Sequence, residues 1–403
     1  MSPSAGRRGS GCFAMAGRQS LRSDPVERDR EYWPVGLRVR HLTSVHEIGD
    51  NRIFYREAKG LADAGYDIAL IVGRVSTGPV AGVPVIGVGE PRTRVGRATG
   101  TVWKVFRAAR RERAQIYHLH DPELLWAGLL LKLLGHRVVY DVHEDAPKQI
   151  MNKHWIPWWA KRVLSTGTAL VERAVTAAID GIVAATPSIA KRFPPSKTVV
   201  VQNFPRVAAA RVRDDAPAFE ARPHSFAYTG QLTRVQGLRE IAATAALLPP
   251  DLGDAVVAGF FDDEGLEHEV TASEGWKRVT FLGRVTPDEV LDVIHSARTG
   301  LVIDHPIINY LDSYSTKMFE YMACGVPVVC SDFPLWKRII EDADCGVALD
   351  PMDPVGVAKA VEELCRDPEE ARRLGENGRR AILDRYNWEH EFAKLDELYR
   401  RIV

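Results

Sequence analysis

Short runs of β-branched residues alternate with amphipathic helical patterns twice over in this chain, and no other feature constrains its fold as tightly. From Leu37 the extended candidates are 37–45, 67–73, 83–89, 116–121, 137–144, 181–186 and 198–204. Helical periodicity fills the gaps between them, as over 51–66 and 95–114. Alternation of this kind predicts βαβ units and a parallel sheet covered by helices on both faces. The rhythm breaks over 205–223, where Arg, Ala, Asp and Pro follow one another without periodicity. That stretch reads as an interdomain linker. Extended candidates then resume at 225–229, 254–259, 278–283, 299–304, 327–331 and 346–349, with helices near 237–248, 286–297, 316–324 and 354–366. The expectation is an α/β protein of two Rossmann-like doubly wound domains, 36–204 and 224–386, facing a cleft. A final pattern over 387–403 carries its own apolar face (Phe392, Leu395, Leu398, Tyr399) and is expected to cross back to the first domain.

Composition narrows the function. At 403 residues the chain has the length of two domains. Its 53 Lys and Arg balance 53 Asp and Glu, so there is no basic surplus for sequence-independent nucleic-acid binding. The longest apolar run, Leu124 to Leu131, is far short of the roughly 20 residues a membrane-spanning helix needs. Five cysteines without a C-x-x-C pair argue for reduced thiols and a cytoplasmic setting rather than a zinc ribbon or a disulfide framework. Residues 1–35, dominated by Ser, Gly and Arg with no apolar core, read as a disordered leader with Met15 as another candidate start.

In open α/β sheets ligands bind beyond the carboxyl ends of strands and beside helix N-termini. The densest cluster in such a position runs from Asn309 to Val329, where a polar loop enters a helix and is followed by Gly325-Val-Pro327 and a buried strand. Glu320 sits there between Phe319, Tyr321, Met322 and Ala323, surroundings that suit a carboxylate holding a hydroxyl pair or an ion partner. In the first half, His118 and His120 alternate along one strand and share a face, with Asp121 at its exit and His143-Glu144 ending the next strand. These side chains suit sugar and acceptor contacts, structural hydrogen bonds or a metal site, and the residues alone leave the three open. Asp342-Ala-Asp344 falls at a helix C-terminus and is not read as a metal motif. Trp155, Trp158 and Trp159 lie among Lys148, Lys153, Lys161 and Arg162, a mixture that fits either a peripheral membrane contact or core packing of the following helix.

Several segments in order resemble the family 4 glycosyltransferases. Asp312, seven residues, then Glu320-Tyr-Met-Ala-Cys-Gly325-Val-Pro327-Val resembles the family signature of a carboxylate, seven residues, Glu and a small-residue run. Gly49 to Glu57, Leu61 to Tyr66, His118 to Leu125, Asp141 to Glu144, Val200 to Asn203 and Tyr228 to Thr233 match further segments, so the resemblance spans roughly 37–400. It implies the GT-B architecture. It also implies retaining, metal-independent transfer from a nucleotide-diphosphate sugar, with no cofactor beyond that donor substrate. The acceptor would be a polysaccharide or other carbohydrate, a lipid-linked or a small molecule, and no nucleic acid is implied.

Carried onto this chain, the resemblance makes Glu320 the partner of the nucleotide ribose, Asp312 a contact of sugar hydroxyls and His120 a catalytic contact. Gly230 and the helix starting near Thr316 would present backbone N–H groups to the diphosphate. Where the family usually carries Arg and Lys, this chain has Gln231 and Gln236, and the candidate replacements for the missing charge are Arg234 and Lys317. The glutamines keep a second expectation in view, a catalytically weak homologue acting as a nucleotide-binding or partner protein. A sugar-nucleotide epimerase is a third.

Overall fold

The computed structural model describes residues 36–75, 78–89, 97–152, 156–210, 217–308 and 310–403. The proposed leader 1–35, Lys153, Trp155, Asn309 and the middle of the 205–223 segment lie outside the described residues.

The first half contributes β1 (Arg38–Thr43), β2 (Asp67–Val72), β3 (Val85–Gly87), β4 (Ile116–Leu119), β5 (Arg137–Val142), β6 (Gly181–Ala184) and β7 (Thr198–Val200). Its helices are α1 (Lys59–Asp63), α2 (Val102–Glu112), α3 (Leu125–Leu133), α4 (Ala146–Asn152), α5 (Trp158–Ala178) and α6 (Pro187–Ala190). A stretch of π-helix, Asn51–Ala58, runs directly into α1. The strands form one parallel sheet in the order β3-β2-β1-β4-β5-β6-β7. A strand such as β2, Asp67-Ile-Ala-Leu-Ile-Val72, is apolar almost throughout because helices cover both faces of a parallel sheet.

The second half repeats the plan with β8 (His224–Leu232), β9 (Ala255–Phe261), β10 (Val279–Phe281), β11 (Ala297–Val302), β12 (Val328–Ser331) and β13 (Gly346–Leu349). Its helices are α7 (Leu238–Leu247), α8 (Glu264–Thr271), α9 (Pro287–His295), α10 (Thr316–Ala323), α11 (Pro334–Ala343), α12 (Pro354–Arg366), α13 (Pro368–Asp384) and α14 (Trp388–Ile402). The sheet order, β10-β9-β8-β11-β12-β13, is the same winding pattern. Helix starts are written locally: Thr286 and Glu289 close a reciprocal capping box at α9, and Asp263 caps α8. Asp344 closes α11 with φ of 47°, so Asp342-Ala-Asp344 is indeed a helix end, and its last carboxylate is occupied by Arg373.

Each sheet reverses direction of winding once, between β1 and β4 and between β8 and β11. Such switch points open a crevice at the strand ends. Two cores flank the first sheet, and one of them contains Trp388, Leu395, Leu398 and Tyr399 from α14. The last helix of the chain therefore packs on the sheet built first. The crossing is tied by Trp388 N–H to Pro205 O at 2.8 Å and Gln202 N–H to Glu391 Oε2 at 2.8 Å.

Candidate active site

At the first switch point the register of β1 against β4 sets His41 beside His118. His118, His120 and His41 are buried together with Glu57 of the π-helical stretch and Tyr399 of α14. Asp141, at the end of β5, accepts from four side-chain nitrogens. Arg52 grips it through Nε to Oδ2 at 2.9 Å and Nη2 to Oδ1 at 2.8 Å, while His143 Nε2 and His120 Nδ1 lie 2.8 and 3.3 Å from Oδ2. Burial opposes the charge, but Arg52 and the histidines outweigh it and hold Asp141 well below the usual carboxylate range. Glu57 goes the other way: burial and the Asp141 charge push it well up. Asp141 is thus the ionised member of the pair.

One assignment of protons satisfies the links to Asp141 and Tyr399, and it leaves the 3.2 Å approach of His120 Nδ1 to His143 Nε2 as a contact between two donors. His120 and His143 both donate to Asp141, so His120 Nε2 is an acceptor and takes the proton of His41 Nδ1 at 2.8 Å. His41 Nε2 then accepts from the Tyr399 hydroxyl at 3.1 Å, whose oxygen accepts from His118 Nδ1 at 2.7 Å. His118 Nε2 is left as a bare lone pair, and it has no partner. Burial keeps His41 and His118 neutral by pushing both well below 6.5, and it takes His120 down to about 4. Nearer solvent, His46 lies 3.3 Å from Asp121 and 3.4 Å from Asp50. Burial lowers its affinity for a proton, but the two carboxylates raise it by more.

At the second switch point β8 ends in Gly230-Gln231-Leu232, with Gly230 and Gln231 exposed. Gly230 has φ of 136°, and a Cβ there would stand 3.5 Å from Lys317 Cδ, so bare backbone faces this lysine. Lys317, in the first turn of α10, is buried with Nζ 3.2 Å from the Tyr228 hydroxyl and 3.3 Å from Asp304 Oδ1. Thr316 is the first residue of α10, and the preceding Ser315 makes no side-chain cap bond. Gly237 is obligatory in another way: at φ of 74° its missing Cβ would sit 2.2 Å from Ile303 O. Glu320 lies on the same helix, with burial raising its carboxyl against the opposing charges of Arg56 and Lys317. Arg56 adds its charge from the first half of the chain, its own Nε donating to Phe204 O at 2.7 Å. The arrangement is a cation, an uncapped helix start and a carboxylate in one cleft wall, the elements needed to hold a diphosphate and a ribose.

Two family profiles match this chain in tandem. Residues 49–204 match the "Glycosyl transferase 4-like domain" and residues 213–381 match "Glycosyl transferases group 1". The chain belongs to the family 4 glycosyltransferases, enzymes of the hexosyltransferase type. The glycosyltransferase is 25% identical over 321 residues to α-maltose-1-phosphate synthase of Mycolicibacterium smegmatis, covering 72% of this chain and 80% of that one. Among solved structures, sucrose-phosphate synthase of Thermosynechococcus elongatus superposes with a TM-score of 0.69 at 20% identity, over 90% of this chain and 98% of that one. HepE of Anabaena in complex with UDP-glucose gives 0.68 at 14% identity, over 90% and 99%. The fold is GT-B.

Within this glycosyltransferase the expected residues divide. Lys317, Gly230, Thr316 and Glu320 come together at the β8–α10 side of the cleft. Arg234 does not join them. Its guanidinium is half-exposed and turned to Glu269 at 3.2 Å and Asp263 at 3.9 Å, because α8 offers it carboxylates outside the cleft. Gln236 accepts from the Tyr228 hydroxyl at 3.1 Å, and so stands beside the lysine that hydroxyl also contacts. Gln231 is solvent-exposed at the strand end. Asp312 is exposed and accepts from Ser188 of α6 at 3.1 Å, a bond between the two halves. His120 departs from expectation: it is 3% exposed and both ring nitrogens are engaged within the protein, so it orients neighbours rather than facing the cleft. His143, oriented by Asp141 and partly exposed, takes the outward position.

Trp158 and Trp159 stand in solvent, which removes core packing as their explanation. Sequence reasoning missed His41, Arg52 and Glu57, and it placed Tyr399 on the returning apolar face without its hydroxyl's role. Arg52 and Glu57 lay inside the segment Gly49–Glu57 that resembles the family.

Proposed function

We propose that the protein transfers a sugar from a nucleotide-diphosphate sugar, with retention and without a metal ion, to a carbohydrate, lipid-linked or small-molecule acceptor. The observation that carries this reading is Lys317 buried beside the bare backbone of Gly230, which supplies the positive charge that Gln231 and Gln236 lack. A cation and a helix start there would stabilise the leaving diphosphate as its charge grows. Glu320 would hold the ribose hydroxyls, and the bound UDP-glucose of HepE supports a donor of this class for the same fold. The proposal includes a peripheral membrane contact for a lipid-linked acceptor, supported by the exposed Trp158 and Trp159.

The test is a screen of UDP-, GDP- and dTDP-sugars for donor hydrolysis and transfer, repeated in excess EDTA. Turnover of at least one donor, undiminished by chelation, is expected. Turnover that collapses with EDTA and returns with Mn²⁺ or Mg²⁺ overturns the metal-free reading. Nucleotide binding without any turnover is the outcome of the weak-homologue reading, and solvent deuterium entering the sugar with no acceptor present identifies an epimerase.

A further inference from the structure

Helix α5 exposes more apolar surface than an ordinary surface helix. Of its 21 residues only Glu172, Val175 and Thr176 are buried. At about 100° per residue, Trp159, Val163, Leu164, Leu170 and Val171 fall within an arc of roughly 140°. These five are between 49% and 68% exposed, and Trp158 at the helix start is 77% exposed. A core-facing helix has this stripe turned inward. Here it is turned to solvent.

The charges follow the stripe. Arg162 and Arg173 are exposed along one edge of the arc and Lys161 lies on the other. The one acid of the helix, Glu172, is withdrawn: it is buried, accepts from the Tyr140 hydroxyl at 3.2 Å and pairs with Arg192. Beyond the helix end, Lys132 binds Asp180 at 2.6 Å, which sets the exposed Leu133 and Leu134 of the α3 terminus nearby. The middle of α5 is anchored toward the cleft, with Ser165 Oγ donating to Pro147 O at 3.0 Å in α4, a few residues past His143.

We infer that α5 docks flat on an anionic lipid bilayer, with its aromatic and aliphatic stripe in the headgroup boundary and its basic edges on the lipid charges. The helix is about 31 Å long at 1.5 Å per residue. It carries four charged side chains, and no helix among the described residues is long and apolar enough to cross a membrane, so the contact is interfacial. A second copy of the chain fits less well. Pairing two such stripes would set Arg162, Arg173 and Lys161 of one copy against those of the other, with no exposed acid on the helix to compensate. The inference takes its purpose from the proposed lipid-linked acceptor, but its test does not use turnover.

The experiment is co-sedimentation of the full chain with phosphatidylcholine vesicles, with and without about one third phosphatidylglycerol, at low and high salt. Binding to the anionic vesicles, weakened by salt and at least tenfold weaker to neutral ones, is expected. Val163→Glu with Leu170→Glu should abolish binding, and Arg162→Ala with Arg173→Ala should weaken it about tenfold. All variants should keep the wild-type melting profile and UDP affinity, since these side chains are exposed and far in sequence from Lys317. Equal binding to neutral vesicles overturns the anionic surface. No vesicle binding, with a dimer in light scattering that the glutamates dissociate, makes the stripe a self-interface and overturns the inference. Vesicle binding in a protein that hydrolyses no donor leaves the inference standing and overturns the proposed function instead.

Discussion

Replacing Lys317 by Met tests where the charge for the diphosphate comes from. Its Nζ sits 3.2 Å from the Tyr228 hydroxyl and 3.3 Å from Asp304 Oδ1, beside the exposed backbone of Gly230. At an effective dielectric near 20, two unit charges about 4 Å apart attract by about 4 kcal/mol before desolvation is paid. The net value of a charge-assisted hydrogen bond is smaller, about 1.5–3 kcal/mol, which predicts UDP binding roughly 10–100-fold weaker in Lys317→Met. Removing the lysine also leaves the buried Asp304 carboxylate facing the anion. Lys317→Met with Asp304→Asn should therefore recover part of the loss. Turnover should fall further than affinity, by about 10²-fold or more, because the leaving diphosphate gains charge in the transition state. Arg234→Ala is the control. Its guanidinium is half-exposed on Glu269, and such surface pairs contribute little, so UDP affinity should change by less than about threefold. Calorimetry with UDP and a donor-hydrolysis assay read both quantities. If Lys317→Met binds UDP within threefold of wild type, or if Arg234→Ala costs as much, the assignment of the cation is wrong.

Three further outcomes follow from the geometry. Glu320→Ala should lose about 1–3 kcal/mol of nucleotide affinity by calorimetry, and an unchanged Kd for both UDP and GDP removes it from the ribose site. Tyr399→Phe keeps the packed ring but strands His118 Nδ1 and His41 Nε2, so urea unfolding should show a loss of about 2–4 kcal/mol; a loss below about 0.5 refutes the hydrogen-bond chain. Since burial takes His120 down to about 4, the unfolded chain binds its proton below pH 6.5 while the folded one does not. Its share of stability is complete above about 6.5 and is lost as pH falls toward 4. His120→Gln should accordingly flatten the fall in stability between those values by up to about 1.4 kcal/mol per pH unit, measured by urea unfolding. An unaltered slope would mean His120 is not held neutral.

The sheets were readable because strands buried on both faces announce themselves as apolar runs, and β2 is the clearest instance. Glu320 and Lys317 were readable because helix spacing puts them on α10 within one turn of each other. The buried polar network was not readable, since the bonds that close it join residues far apart in the chain. Arg52 meets Asp141 across 89 positions and His118 meets Tyr399 across 281, distances over which no local pattern survives. Arg234 misled for a related reason: its place in the loop after Gly230 was local information, but its direction is decided by Glu269, 35 residues on.

The docking of α14 makes the order of synthesis matter. Trp388, Leu395, Leu398 and Tyr399 complete a core whose other members, Val39, Leu70 and Val183 among them, are made long before. While the second sheet is being translated, that face of the first sheet is covered by Ile53, Phe54, Ala58 and Leu61 but not yet by α14, and Tyr399 has yet to reach His41 and His118. The first half of the chain therefore keeps part of an apolar face open until α14 has been made. Loss of α14 would fall as a folding defect on the first sheet, far along the chain from the helix removed.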